Sequence, residues 1–180
     1  MIGLDGKTIA SEHLSMRLLE EGDKKDLRAL LSDENVTRPA GFLPAASDAE
    51  FDDFFATLTK YNTAIAVLLG SKLIGYCYVG RFVAEIPEAE EFKGKQSVSL
   101  GFVIGREYQN HGYGTEMLRA VTSYLLERFD AVFADCFVGN TASQKLIEKC
   151  GYRYLGNYTL FFDELSEKKT CRCYVRDNNL

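Results

Sequence analysis

The chain has 180 residues, 46% hydrophobic and 26% charged, with a formal net charge of −5 and a pI near 5.2. One globular domain over residues 1–180, large enough for a substantial core, is the simplest organisation for that length and mix, and the acidic balance argues against broad binding to nucleic acid or anionic membranes, which usually brings a basic surface. No stretch approaches ~18 uninterrupted apolar residues and the N-terminus lacks a signal-peptide apolar region, so a cytoplasmic protein is expected.

In chain order, Met1–Glu12 reads as an edge strand or irregular lead-in and Ser15–Leu19 as a first strand. Asp23 is the expected N-cap of a helix through about Leu31, whose apolar face is Leu27, Leu30 and Leu31. Pro39 and Pro44 bracket Ala-Gly-Phe-Leu, which makes Thr37–Pro44 a loop with an aromatic tip. Ser47-x-x-Glu50 is a capping box that opens a second helix carrying Phe51, Phe54, Phe55 and Leu58. Ala64–Leu69 and Leu73–Val79 flank the turn Gly70-Ser71 and predict a hairpin. Arg81–Lys95, with Glu85, Glu88, Glu90 and Glu91 around Pro87, breaks the apolar pattern and reads as a solvent-facing excursion.

From Val98 to Ile104 apolar residues alternate at strand period and lead into Gln109-Asn110-His111-Gly112-Tyr113-Gly114-Thr115. Leu118, Val121 and Leu125 then predict a helix through about Arg128. Ala131–Val138 is almost continuously apolar, as a strand buried on both faces would be. Asn140 or Thr141 caps a helix with Leu146, Ile147 and Cys150 that stops at Gly151. Tyr152–Phe162 and Cys171–Val175 form a last aromatic-rich strand pair, and the β-loop-α-β-α-β order predicts right-handed crossovers with parallel neighbours in that half of the sheet.

Cys77, Cys136, Cys150, Cys171 and Cys173 leave one thiol unpaired in any disulfide scheme, and most lie in apolar runs, which favours buried reduced thiols. Cys171-x-Cys173 lacks zinc or redox spacing and both histidines, His13 and His111, lie far from it in sequence, so no metal is expected.

The glycine loop carries the chemistry. Gly112 and Gly114 ahead of a helix let backbone N–H groups converge, and the helix N-terminus adds positive potential, a combination suited to a phosphate or pyrophosphate. Neither a Walker loop, which needs Gly-Lys before Thr115, nor a dinucleotide fingerprint, which needs glycine where Met117 stands, is present, so a nucleotide-binding α/β domain is disfavoured. From the loop alone, glycines that merely supply turn geometry are an equal reading.

Read together, Gln109-x-x-Gly112-x-Gly114 and the later Asn140-Thr141-Ala142-Ser143 to Gly151-Tyr152 run resemble the GNAT superfamily of acyl-CoA-dependent N-acetyltransferases. Arg17-Leu18, the Val36–Pro44 loop, the Lys72–Tyr78 strand and Ser143, three residues after the Asn, look like the branch that includes ribosomal-protein N-terminal acetyltransferases; Arg81–Lys95 is the least family-like segment. The resemblance implies an α/β fold, a strongly twisted mixed sheet of about six to seven strands flanked by about four helices. It implies acetyl-CoA as co-substrate, its pyrophosphate on the amides of Gln109, Asn110, His111, Gly112, Tyr113, Gly114 and Thr115, and its pantetheine arm along Phe102, Val103 and Ile104. An N–H on that strand would also stabilise the carbonyl oxygen as it becomes an oxyanion.

Attack by a neutral amine on the thioester needs no protein nucleophile, only a route for the ammonium proton and a donor to the departing sulfur. Ile147 stands where many relatives carry a donor Tyr, so Ser143 is the candidate donor, with Asn140 positioning the pantetheine arm; a cap and a polar first-turn residue are the ordinary alternative for the two. Ser99 stands where relatives carry a strand Glu, which leaves Glu85, Glu88 or a water chain as candidate bases, against the plain reading of a solvated acidic loop. Lys145 and Lys149 could meet the CoA 3′-phosphate, His111 would neighbour the phosphates, and Phe42, Tyr76, Tyr78 and Phe82 could wall the acceptor pocket or pack in the core. The expected acceptor is a protein N-terminal amine or a small-molecule amine, and the expected assembly a monomer or homodimer. The alternative is a non-catalytic acyl-CoA-binding module.

Overall fold

The computed structural model describes Leu4, residues 6–82 and residues 86–178. Its centre is an eight-stranded sheet in the order β1-β2-β3-β4-β5-β6-β8-β7. The strands are β1 (Ile9–Ala10), β2 (Leu14–Leu18), β3 (Ala64–Leu69), β4 (Lys72–Arg81), β5 (Ser97–Ile104), β6 (Ala131–Phe137), β7 (Arg153–Phe162) and β8 (Glu167–Asp177). The α-helices are α1 (Lys24–Leu30), α2 (Glu34–Thr37), α3 (Asp48–Lys60), α4 (Tyr113–Leu126) and α5 (Thr141–Lys149). The count exceeds the expected six to seven strands and four helices because the two-residue β1 and the four-residue α2 carry no readable period in the sequence.

Each sheet face covers its own core. On one face α4 and α5 pack Met117, Leu118, Val121, Leu125 and Ile147 against Met16, Ile74, Leu100 and Val132. Those five helix side chains are at most 1% exposed, and burial of each stabilises by roughly 1.5–3 kcal/mol, an upper estimate. On the other face α1 and α3 lay Leu27, Phe51, Phe55 and Leu58 over Ala66, Leu73, Tyr76 and Val103. A further cluster on the far half of the sheet gathers Ile86, Phe92, Phe133, Leu155, Cys173 and Val175.

Half of the capping box at Ser47 forms: Ser47 accepts from the Glu50 N–H at 3.2 Å, whereas Glu50 reaches back one residue too far and accepts from the Ala46 N–H at 2.7 Å. Other expectations are corrected. Asp23 makes no side-chain cap for α1; it ends a 3-10 turn begun by Glu20 and accepts from the Glu20 N–H at 2.8 Å. Its carboxylate is held by a bidentate pair with the Arg17 guanidinium at 2.7 and 2.9 Å, which draws it away from the helix. The segment expected as a loop from Thr37 starts instead on the last residue of α2, whose Asp33 cap accepts from the Asn35 N–H, and runs into a 3-10 turn over Arg38–Ala40.

The Arg81–Lys95 excursion is not simply solvent-facing. Phe82 stacks on Phe133 with centroids 3.7 Å apart, and a 3-10 turn over Pro87–Phe92 buries Phe92 edge-on against the same ring. Glu88, Glu90 and Glu91 point outward while Phe82 and Phe92 point in: Glu91 pairs with Arg153 and Glu90 with Lys93. All five thiols are buried and free, and burial pushes the Cys77 thiol well above its ordinary value.

Parallel pairing is confined, among the described residues, to β5 and β6. The continuation expected after α5 is interrupted because β8 inserts between β6 and β7, pairing antiparallel with both. The β7–β8 hairpin thereby adds two strands at once and leaves β7 at the sheet edge.

Candidate functional site

The sheet opens at its middle. β5 and β6 pair only from Ser97↔Ala131 to Ser99↔Phe133, although β5 runs on to Ile104 and β6 to Phe137. Beyond Ser99, β5 stays with β4 as far as Gly75↔Ile104, and β6 stays with β8 as far as Phe137↔Cys171, so the two halves of the sheet diverge. The inner edges of residues 101–104 and 134–137 therefore carry no partner strand, and a cleft of about 710 Å³ fills the gap. Unpaired strand edges present main-chain donors and acceptors to any extended ligand with amides of its own.

Two helices begin at this cleft. Gly112 sits at φ +89°, ψ −14° and is followed at once by right-handed Tyr113, the alternation that turns successive N–H groups toward one point. No side chain caps α4, so its first N–H groups and the positive end of a 14-residue dipole remain available. The Gln109 side chain does not reach into the cleft as a ligand; it donates to the Ile104 carbonyl at 2.9 Å and ties the loop to the end of β5. His111 bonds the Gln109 carbonyl at 2.8 Å, its ring stacks on Tyr113 at 5.9 Å, and His13 meets the same ring at 6.2 Å. Gly114 serves packing: a Cβ there would stand 2.7 Å from Leu146 Cδ1, so its absence lets α5 approach α4.

Glu116 fixes the first turn of α4. Its carboxylate accepts from the Ser11 hydroxyl and the His13 N–H, both at 2.7 Å, and from the Leu14 N–H at 3.2 Å. Burial opposes the charge, but these donors hold its pKa below the ordinary carboxylate value. A depressed folded pKa contributes stability above the unfolded value of about 4.3 and loses it as pH falls through the folded value. Calorimetry of Glu116→Gln is therefore expected to show about 1–2 kcal/mol lost at pH 7 and a shallower acid limb than wild type.

α5 starts with Asn140, whose side-chain oxygen accepts from the Ser143 N–H at 3.2 Å. The Ser143 hydroxyl has no hydrogen-bond partner among the described residues and lines the cleft, as do Lys145 and Lys149. Ile147 is 0% exposed in the core and puts no polar group there.

The cleft's other rim lies on the opposite sheet face. Asn35, Val36, Pro39 and Ala40 border it, with Phe137 and Phe162 meeting edge-to-face at 5.0 Å. Gly41, at φ +96°, lets this rim touch Phe162, since a Cβ would stand 3.0 Å from the ring. Arg38 bridges Glu34 at 2.8 Å and Glu167 at 2.9 Å, linking the rim to the β7–β8 hairpin. Asp135 faces the same opening, and sequence reasoning passed it over as one polar residue in an apolar strand.

Of the sequence-predicted site, Phe102–Ile104, Gln109, Asn110, Gly112, Gly114, Thr115, Asn140, Ser143 and Lys145 line this one cleft, whereas His111 and Tyr113 stack beside it. Glu85 lies outside the described residues. Glu88 lies instead against β7, its Oε2 2.9 Å from where a Cβ on Gly156 would stand. Of the aromatics expected either to wall the acceptor pocket or to pack in the core, none lines the cleft: Phe42 packs on Phe54, Tyr76 is core, Phe82 covers Phe133, and Tyr78 lies along Gly80. Phe137 and Phe162 line the cleft in their place.

A family model described as the acetyltransferase (GNAT) domain matches residues 13–153. The GNAT-family acetyltransferase of Bacillus anthracis superposes with TM-score 0.78 at 20% identity, covering 97% of this chain and 100% of that one. The spermidine N-acetyltransferase of Vibrio cholerae, solved with CoA and spermine, gives TM-score 0.74 at 19% identity over 94% and 98% of the two chains. The ribosomal-protein-S5-alanine acetyltransferase of Vibrio fischeri gives 0.71 at 16% over 96% and 97%. At such identities the likeness is one of fold, and the cleft itself fits acetyl-CoA: an uncapped helix terminus for phosphate, unpaired strand edges for amides, and lysines at the mouth. With 13–153 matched and the sheet opened between β5 and β6, the chain belongs to the GNAT acetyltransferase domain family, whose members take the acetyl group from acetyl-CoA.

Proposed function

We propose that the protein acetylates a primary amine that carries a single positive charge on a largely uncharged body, with a protein N-terminal amine, such as that of a ribosomal protein, as the first candidate. The observation behind this reading is the acceptor-side rim. Val36, Pro39, Ala40, Phe137 and Phe162 are uncharged, and Asp135 is the one acidic residue among the described lining residues. A polyamine carries several ammonium groups and would call for several carboxylates, because each desolvated cation needs its own partner. The spermidine enzyme shares the fold, which says nothing of its acceptor wall here.

The donor half assigns roles to the chain's own groups. The α4 N-terminus binds the pyrophosphate, Lys145 lies near the 3′-phosphate, and the free edge of Phe102–Ile104 bonds the pantetheine amides and polarises the thioester carbonyl. Asn140 uses its oxygen in the cap and has its NH₂ for the arm. Ser143 donates to the leaving sulfur. Ser143→Ala should lower kcat about 100-fold with acetyl-CoA affinity unchanged, and turnover equal to wild type at saturating acetyl-CoA would remove serine from that role.

The acceptor is tested by free-CoA release from acetyl-CoA with peptides beginning Ala or Ser, ethylamine and spermine. Peptide kcat/KM at least tenfold above spermine is the expected order. Spermine as best substrate would overturn the single-charge reading.

A further inference from the structure

We infer that Asp135 is the group that receives the acceptor amine: its carboxylate binds the ammonium and takes the proton that must leave before the nitrogen attacks. The inference rests on the acetyl-transfer reading above and adds a residue to it. β5 and β6 stop pairing at Ser99↔Phe133, and carrying that register two places further would set Gly101 opposite Asp135 across the opening. Gly101 has nothing within 4 Å of where a Cβ would be, so the sheet face beside the gap is open at this level.

The sheet alternation fixes the side. Val132, Ala134 and Cys136 belong to the α4–α5 core, so Asp135, like Phe133, faces the opposite way. A donor anchored on the α4 and α5 termini reaches the gap from one face, and Asp135 meets the gap from the other. An acceptor entering between the 35–40 rim and Phe162 arrives beside this carboxyl.

Its surroundings suit proton transfer. The Tyr158 hydroxyl on β7 lies beside it, Cys171 and Cys173 of β8 and Cys136 of its own strand are its other titratable neighbours among the described residues, and all three thiols are buried and pushed up in pKa. Among the described residues Asp135 makes no ion pair. Arg172, next in register, is occupied with Gln144, Glu148 and the Tyr154 and Tyr174 rings. Asp135 is open to the cleft, yet the protein packed round its carboxyl raises its pKa by desolvation, an effect that the neighbouring Tyr158 hydroxyl opposes. A carboxylate of raised basicity without a cation is matched to an incoming ammonium.

The step balances. The ammonium proton passes to the carboxylate, the freed nitrogen pair forms the C–N bond to the acetyl carbon, and the C–S bond breaks with its electron pair on sulfur. The thiolate ends protonated by the proton that the new amide nitrogen sheds, and Asp135 returns its own proton to water.

Carbon-13 aspartate NMR of the full chain with bound CoA tests this, with and without ethylamine, spermine and an Ala-initiated peptide. Asp135→Asn assigns the signal, which should titrate above the ordinary carboxylate range, move to lower pH with at least one amine, and rise further in Tyr158→Phe. Asp135→Asn should keep wild-type acetyl-CoA affinity and melt no lower than wild type at pH 8, because a raised carboxyl pKa means that ionisation destabilises the fold. With the best acceptor of the panel it should lose about 100-fold in kcat/KM and the rise of rate with pH, and Asp135→Glu should recover part. An Asp135 signal that titrates normally, or that no amine moves, or an Asp135→Asn enzyme of wild-type rate, overturns the inference. Failure of acetyl-CoA to bind wild-type protein would strike the acetyl-transfer reading instead.

Discussion

Gly101→Ile is expected to leave the protein folded and acetyl-CoA bound while acetyl transfer falls on the order of 100-fold, the scale of loss when a reactant is displaced by an ångström or more. Gly101 lies within β5, paired to Tyr78, without a positive φ, so a β-branched residue adopts its backbone freely. Glycine in a strand interior is also a weak choice, and isoleucine should raise stability by up to about 1 kcal/mol. The new side chain would enter open space on the face away from α4 and α5, because Leu100 and Phe102 take the other face. It would occupy the volume in front of Asp135 that the acceptor needs. Thermal melting, acetyl-CoA calorimetry and CoA release together decide the matter: loss of acetyl-CoA affinity equal to the loss of rate would mean that the donor, not the acceptor, uses this space.

Gly75→Ala is expected to have the opposite profile, with stability and donor binding both reduced. Gly75 pairs with Ile104, and a Cβ on it would stand 2.4 Å from the Val103 carbonyl oxygen and 2.8 Å from Ile104 Cδ1. A backbone oxygen cannot rotate away as a side chain can, so β4 and β5 must part. Overpacking of this kind costs about 3 kcal/mol, less the few tenths to 1 kcal/mol that alanine gains over glycine by restricting the unfolded chain. For a chain of this size that corresponds to a melting temperature lower by roughly 5–10 °C. The displaced residues, Val103 and Ile104, form the free edge proposed for the pantetheine arm, so acetyl-CoA affinity should fall in the same variant. Unchanged melting would show that the strand pair yields at this point without cost.

These two glycines lie on neighbouring strands and look alike in sequence. Nothing in Ile74-Gly75-Tyr76 or Leu100-Gly101-Phe102 says that one is pressed on a carbonyl and the other faces a void. The same limit applied to Gly112 and Gly114. Both read as openings for an anion, yet only Gly112 has the left-handed backbone that turns N–H groups inward, and Gly114 makes room for Leu146. Asp135 shows the limit from the other side. One acid in Ala-Val-Phe-Ala-Asp-Cys-Phe does not disturb the reading of a strand buried on both faces, and its place at an opening shows only where the neighbouring strand leaves.

What the sequence determined by itself was local or ordered along the chain: the strand-to-loop-to-helix passage at 98–126, the Ser47 and Asn140 caps, the hairpin at Gly70, and the two motifs whose order carries the family. Those features depend on residues within a turn or two of one another, where hydrogen-bond geometry and periodicity act directly. The tertiary structure alone decided where β5 and β6 part, that β8 inserts beside β6, that Phe137 and Phe162 rather than the predicted aromatics border the cleft, and that Asp135 faces it. Each of these depends on strands far apart in sequence sharing or losing a hydrogen-bonded edge, and strand pairing is set by the packing of whole faces, which no single stretch of chain encodes.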